Sequence, residues 1–248
     1  HWRGFTSGER LCPHHAGFRP DMSNCVTSAI VFDLDGTLVD SAPDLHAAAN
    51  KLLAELDCPS LSLAEIRSFI GHGIAYLVDQ MITAQELDPA QRNKLVARFK
   101  ELYSQSPATL SKVYPGVSSL LLELSQQGYK LGVCTNKDEA IARKVLNDLE
   151  LSVFFDVIVG GDTLKERKPD PAPLDHAFDC LAVPSGLFIG DSEVDALTAC
   201  AAGVPFGLFK DGYRKAAVSD ITHHFAFDTY EDFFNHFHSG IIASVFGP

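Results

Sequence analysis

The sequence predicts an α/β fold of three layers, a parallel sheet covered by helices on both faces, with an all-helical domain inserted after the first strand. Three observations predict it. Short apolar runs recur along the chain, amphipathic helical stretches alternate with them, and one long early interval carries helical patterns alone. Strands that read as continuous apolar runs are what a sheet buried on both faces requires.

The elements follow in chain order. Residues 1–26 mix Gly, Pro, His and Arg without apolar periodicity and read as a flexible leader or a cloning remnant. AIVFD (29–33) is the first strand. From Ser41 to Tyr114 no strand run occurs. Leu45/Ala49/Leu52/Leu56, Leu77/Val78/Met81 and Leu95/Val96/Phe99/Leu102 recur at helical spacing instead. That interval is too long for a simple crossover. It divides the chain into a core of 27–40 and 115–248 and a helical insert of 41–114.

Beyond the insert, VSSLLLELSQQG (117–128) places Val117, Leu120, Leu121 and Leu124 on one helical face and stops at Gly128. YKLGVCT (129–135), DVIVG (156–160), GLFIGD (186–191) and VPFGLF (204–209) are the next strands, with HHFAF (223–227) a weaker sixth. Helices are expected over 138–149 and over 192–202, the second stopping at Gly203. FDTYEDFFNHF (227–237) packs a last helix on the sheet and does not choose between a monomer and a homodimer.

Composition narrows the partners. The 248 residues carry 32 Asp plus Glu against 20 Lys plus Arg, a formal charge of −12, which disfavours long-range attraction to nucleic acid or an anionic membrane. No uninterrupted run of ~18 apolar residues marks a membrane span. The six cysteines show no CxxC spacing and read as reduced thiols of a cytoplasmic chain. The ten histidines form no HExxH pattern.

Chemistry concentrates at the strand ends. In VFDLDGTLVD (31–40), Asp33 ends an apolar strand and Asp35 follows two positions later, before Gly36. A turn at Gly36 lets both acids approach one site from different directions. Such a pair can divide labour, one ionised as a nucleophile and one carrying a proton for a leaving group. In GDSEVD (190–195), Asp191 ends another strand and Asp195 lies one helical turn on. Grouped carboxylates without His or Cys favour a hard cation, Mg²⁺ above others. Thr135 and Asn136 follow a third strand, and Lys168 lies in the proline-stiffened KERKPDPAP. A hydroxyl, an amide and an ammonium at one sheet edge suit the oxygens of a phosphoryl group.

These segments resemble the haloacid dehalogenase superfamily of phosphohydrolases, and among them the phosphoglycolate phosphatases. The resemblance covers about residues 27 to 240. It rests on DLDGTLVDS (33–41), YPG (114–116), VCTNK (133–137), KPDP (168–171) and GDSEVDALTACAAG (190–203). It implies a Rossmann-like core and a helical cap that closes over substrate. Asp33 then matches the nucleophile that becomes an aspartyl phosphate, and Asp35 the acid and base. Asp33, the Asp35 backbone carbonyl and Asp191 match the Mg²⁺ positions, with Asp195 at an outer position. Thr135 and Asn136 match the phosphate-gripping pair, and Lys168 the charge-offsetting cation.

Keeping Asp35 and Asp191 points to phosphoryl transfer rather than displacement at carbon. Lys51 of the insert offers no support for a Schiff-base role. In the insert, RSFIGHGI (67–74) resembles the family's cap loop, with Gly71 and Gly73 as a flexible turn. His72 is expected to face the carboxylate of a small phosphorylated acid such as 2-phosphoglycolate, with Arg67 supporting it. A sugar-phosphate mutase using the same phosphoaspartate, and a non-catalytic phosphometabolite-binding protein, remain the alternatives.

Overall fold

The computed structural model describes residues 28–183 and 186–238. The expected leader, Cys12 and Cys25 lie outside the described residues. Six strands form one parallel sheet: β1 (Ala29–Phe32), β4 (Lys130–Cys134), β5 (Val157–Val159), β6 (Gly186–Gly190), β7 (Phe206–Phe209) and β8 (Phe225–Phe227). Their spatial order is β5-β4-β1-β6-β7-β8, with every neighbouring pair parallel.

Period-two geometry sorts the first strand between two cores. Ile30 and Phe32 join one apolar cluster, and Ala29 and Val31 join the other. On the first face lie α5 (Val117–Gln126), α6 (Glu139–Asp148) and α9 (Tyr230–His238). The residues Val117, Leu120, Leu121 and Leu124, assigned to one helical face by their spacing, are all fully buried there. The second face is covered by α7 (Ala172–Leu181) and α8 (Glu193–Ala202). The three-layer expectation holds, and the strands are one or two residues shorter than the apolar runs that announced them.

The insert comprises α1 (Ala42–Glu55), α2 (Leu63–Phe69), α3 (Ile74–Ala84) and α4 (Arg92–Gln105). Leu52, Met81 and Phe99 pack in one cluster that runs on into the core beneath α5 and α6. Helix α2 went unread because its seven residues bury only Ile66, too little for a helical stripe. Its start is nonetheless written locally. Ser62 accepts from the Glu65 backbone N–H while Glu65 accepts from Ser62, a reciprocal cap.

One expectation needs correcting. The interval from Ser41 to Tyr114 does contain extended chain: β3 (Lys112–Val113) pairs antiparallel with β2 (Val39–Asp40). Two-residue strands are too short to show a period. This ribbon joins both connections of the insert. Asp44, in the first turn of α1, ties them further by accepting from Leu110 N–H, Ser111 N–H and Ser111 Oγ–H at 2.6–3.0 Å.

Chain direction positions the site. From β1 the chain builds outward through β4 and β5, then returns to the other flank of β1 as β6, β7 and β8. The crevice beyond the C-terminal ends of β1, β4 and β6 is therefore the switch point where open α/β sheets bind ligands.

Candidate active site

Asp33 follows β1 directly, Thr135 follows β4 and Asp191 follows β6, so three adjacent central strands deliver them side by side. Lys168 comes from the loop between β5 and α7. Its Nζ lies 2.6 Å from Asp195 Oδ1 and 2.9 Å from Asp33 Oδ1, with the side chain almost wholly buried. Burial alone would push this ammonium toward neutrality. The carboxylates of Asp195 and Asp33 outweigh that and hold its pKa above the ordinary lysine value.

The acids respond to the same burial in the opposite sense. Desolvation pushes Asp33 up to about 7, against the opposing pull of Lys168 and with the charge of Asp195 adding to it. Asp191 is likewise pushed well up, first by burial and then by Asp195 and Asp33. One oxygen from each of Asp33, Asp191 and Asp195 lies within 4.8 Å of the others. Three buried carboxylates thus crowd together, and two of them, Asp33 and Asp195, share a single ammonium.

Their remaining hydrogen bonds distinguish them. Asp191 accepts from Thr37 Oγ1 at 3.0 Å and from the Tyr213 backbone N–H. Asp195 has both oxygens engaged: Oδ1 takes Lys168, while Oδ2 accepts from Ser192 Oγ, Ser192 N–H and Asp191 N–H. Asp33 Oδ1 is buried and sits at ion-pair distance from Lys168, yet no donor is aligned on it as a hydrogen bond. An incompletely satisfied buried carboxylate oxygen beside a second buried carboxylate suits a hard divalent cation. The donor set therefore fits Mg²⁺, with Asp33 and Asp191 better placed to hold it than Asp195.

Gly36 makes this approach possible. Its φ is +86°, and a Cβ there would fall 2.5 Å from Asp191 Oδ2 and 2.7 Å from Tyr213 Cδ2. The turn carries Asp35 to the cavity side, where its Oδ1 accepts from Ser41 Oγ and meets Lys137 Nζ at 2.8 Å. Lys137 also donates to Tyr103 Oη of α4 at 2.8 Å. Burial opposes its charge, but Asp35 and then Tyr103 raise its pKa above the ordinary value. Sequence reasoning passed over Lys137 even though it ends the quoted VCTNK. A lysine after Thr-Asn reads as solvated until the fold buries it.

Thr135 and Asn136 serve the site differently. Thr135 Oγ1 accepts from the Lys137 N–H at 3.3 Å, which leaves its hydroxyl proton for a ligand. Asn136 directs both amide protons elsewhere, to the carbonyls of Gly71 and Lys168 at 3.0 Å each. Its side chain joins the insert to the lysine loop, with no N–H left over.

Residues of the insert line the same spot. A small cavity is lined on one side by Asp33, Asp35, Thr135, Asn136 and Lys137, and on the other by Leu45, Ile70, Gly71, Gly73, Ile74 and Leu77. Gly73, with φ +86°, has no room for a side chain, since a Cβ would lie 2.9 Å from the Asn136 carbonyl oxygen. Lys100 of α4 pairs with Asp138 across the seam.

Two expected insert residues sit apart from the cavity lining. His72 packs at a tilt against Tyr76 with ring centroids 4.6 Å apart, and burial followed by Lys215 lowers its pKa. Arg67 lies 3.3 Å from Asp40 and over the Tyr213 ring, at the two-stranded ribbon. Lys51 lines a separate groove with Ala47 and Gln105. Cys134 is fully buried in the core, which pushes its thiol up to about 12. Among the described residues no helix is long and apolar enough to cross a membrane.

Comparison with known proteins agrees with this geometry. Residues 30–209 match the model of the haloacid dehalogenase-like hydrolases. A phosphoglycolate phosphatase of Cereibacter sphaeroides is 46% identical over 205 residues, covering 82% of this chain and 94% of the relative. One of Rhodospirillum rubrum is 43% identical over 201 residues, covering 78% and 83%. The crystal structure of a predicted phosphoglycolate phosphatase from Haemophilus somnus superimposes with a TM-score of 0.80 at 29% identity, covering 84% of this chain and 97% of that one. With its sheet, its strand-end acids and most of its length accounted for, this chain belongs to the haloacid dehalogenase-like hydrolases.

Proposed function

We propose that the chain is a Mg²⁺-dependent phosphate monoester hydrolase that works through an aspartyl phosphate, on a small phosphorylated acid such as 2-phosphoglycolate. The observation that carries this reading is the meeting of Asp33 and Asp35 on one cavity, with Lys168 and Asp191 directly behind Asp33. The names of the relatives support the substrate. Residues 41–114 act as a cap over the core of 27–40 and 115–248.

In the first step a carboxylate oxygen of Asp33 attacks phosphorus and the ester P–O bond breaks. The departing alkoxide takes a proton from Asp35, which is needed because an alkoxide leaves poorly. In the second step Asp35, now a carboxylate, removes a proton from the water that attacks the phosphorus, and inorganic phosphate leaves as Asp33 is restored. The Thr135 hydroxyl and the Lys168 ammonium oppose the charge on the nonbridging oxygens. Asn136 holds the loop and the insert that frame them.

Asp33, Asp191 and the backbone carbonyl of Asp35 are the groups to hold Mg²⁺, with Asp195 fixing Lys168 and the Asp191 turn from behind. When bound, the ion neutralises phosphoryl charge that would otherwise repel Asp33. Aliphatic walls at Leu45, Ile70, Ile74 and Leu77 offer no hydroxyl-binding groups, which weighs against the sugar-phosphate mutase.

A phosphate-release screen with Mg²⁺ over 2-phosphoglycolate, sugar phosphates, mononucleotides and pyrophosphate tests the reading. The expected result is release from 2-phosphoglycolate above the rest. Silence across the panel, or release only with a sugar bisphosphate activator, would overturn it.

A further inference from the structure

The cavity holds one cation at a place where phosphate chemistry does not need it. Among the described lining residues, Lys137 is the sole cationic side chain, and the opposite wall is aliphatic. Lys168 is not among the lining residues and stands behind Asp33, toward Asp195. Arg67 is committed to Asp40, and His72 stands outside the lining. Lys137 is buried to 3% exposure, with its Nζ 2.8 Å from Asp35 Oδ1 and 2.8 Å from Tyr103 Oη. An ammonium has three N–H donors, and the structure assigns partners to two.

We infer that Lys137 is the specificity-determining residue of this enzyme, its third N–H donating to a carboxylate on the leaving group of the substrate. The inference rests on the phosphatase reading above, which makes Asp35 the acid facing the ester oxygen. A residue that touches the acid also borders whatever that oxygen carries. In a two-carbon phosphorylated acid the carboxylate carbon is two bonds from the ester oxygen, so it arrives beside the Lys137 ammonium. An unpaired carboxylate against Leu45, Ile74 and Leu77 would be strongly disfavoured, and an ammonium there removes that penalty. A neutral alcohol of the same length leaves the ammonium's third N–H unmet. The pocket therefore selects a short leaving group bearing a negative charge.

The test compares kcat/KM for 2-phosphoglycolate and for uncharged 2-hydroxyethyl phosphate, with Mg²⁺, in the wild type and in Lys137→Met. Whatever Lys137 does for Asp35 is common to both substrates and cancels in their ratio. The wild type should prefer 2-phosphoglycolate by about 100-fold or more, and K137M should cut that ratio at least ~10-fold. Arg167, whose Nη1 lies 3.3 Å from the position a Gly73 Cβ would take, is the nearby control. Arg167→Ala should keep the ratio. Equal losses on both substrates in K137M, or a ratio lost in R167A instead, would overturn the assignment.

Calorimetry on the wild type keeps the question open to refutation if K137M does not fold. 3-Phosphonopropionate should bind about tenfold tighter than propylphosphonate, and equal affinities would overturn the inference. Turnover of 2-phosphoglycolate with an unchanged ratio in K137M sinks Lys137 alone. No turnover of 2-phosphoglycolate, with the phosphonate preference intact, sinks that substrate and leaves the carboxylate reader standing.

Discussion

The two sides of the cavity are built on different physics. On the sheet side Lys168, Asp191 and Asp195 are each held by two or more partners and all are buried, Asp191 at a strand tip, Lys168 in a loop and Asp195 in the first turn of α8. On the insert side the wall is Leu45, Ile70, Ile74 and Leu77, and the polar links across the seam include Asn136 to the Gly71 carbonyl and Lys137 to Tyr103. Charge at the strand tips fixes what reaction is possible. The insert adds an aliphatic wall opposite Lys137, so a substrate would meet shape on one side and charge on the other. Buried charges tolerate no displacement, because their penalty is offset only by close partners. An aliphatic wall can be rebuilt residue by residue at small cost.

Substitutions on the two sides should therefore differ by orders of magnitude. Asp33→Asn comes first, with phosphate release falling at least ~10⁴-fold and the circular dichroism spectrum unchanged. Residual activity within tenfold of the wild type would place the nucleophile elsewhere. Lys168→Met should lose activity by ~10³-fold or more and also lower stability by about 3–5 kcal/mol, read from urea unfolding, because Asp195 and Asp33 are left buried without their cation. An unfolding midpoint equal to that of the wild type would mean that the pairing contributes nothing net.

The ribbon between insert and core sits between the two regimes. Asp44→Ala strands the Leu110 and Ser111 donors and should cost about 1–3 kcal/mol by the same unfolding measurement. A proportional rise in KM would show that the ribbon also sets the position of the insert over the cavity. On the insert side, His72→Ala should change kcat/KM less than ~3-fold, since the ring rests on Tyr76 outside the lining. A loss approaching that of D33N would break the division between the two sides. The smallest effect is chemical. Alkylation of the native protein at pH 8 should modify exposed Cys180 and Cys200 and spare Cys134, whose thiol burial pushes up to about 12.

The same division explains what could be read without coordinates. Asp33, Asp191 and Thr135 were legible because each directly follows an apolar run, and parallel strands bring such ends to one edge whatever the loops do. Arg67 and His72 were expected at the substrate because a Gly-flanked histidine resembles a ligand loop. The fold gives Arg67 to Asp40 and His72 to Tyr76. Asn136 was expected on phosphate, but its two N–H groups bind carbonyls. Lys137 and Tyr103 were missed altogether, since they are 34 residues apart and meet only when α4 lies over the end of β4.

The sequence by itself determined the layered sheet, the place of the helical insert and the acids at the strand ends. Those features are local, written in periodicity of 2.0 and 3.6 and in the residue that stops each run. Only the tertiary structure decided which partners each charge takes: Lys168 with Asp195, Lys137 with Asp35 and Tyr103, and Asp33 with an oxygen left over. Pairing of buried charges depends on distances of a few ångströms between segments far apart in the chain. No spacing along the chain encodes such distances.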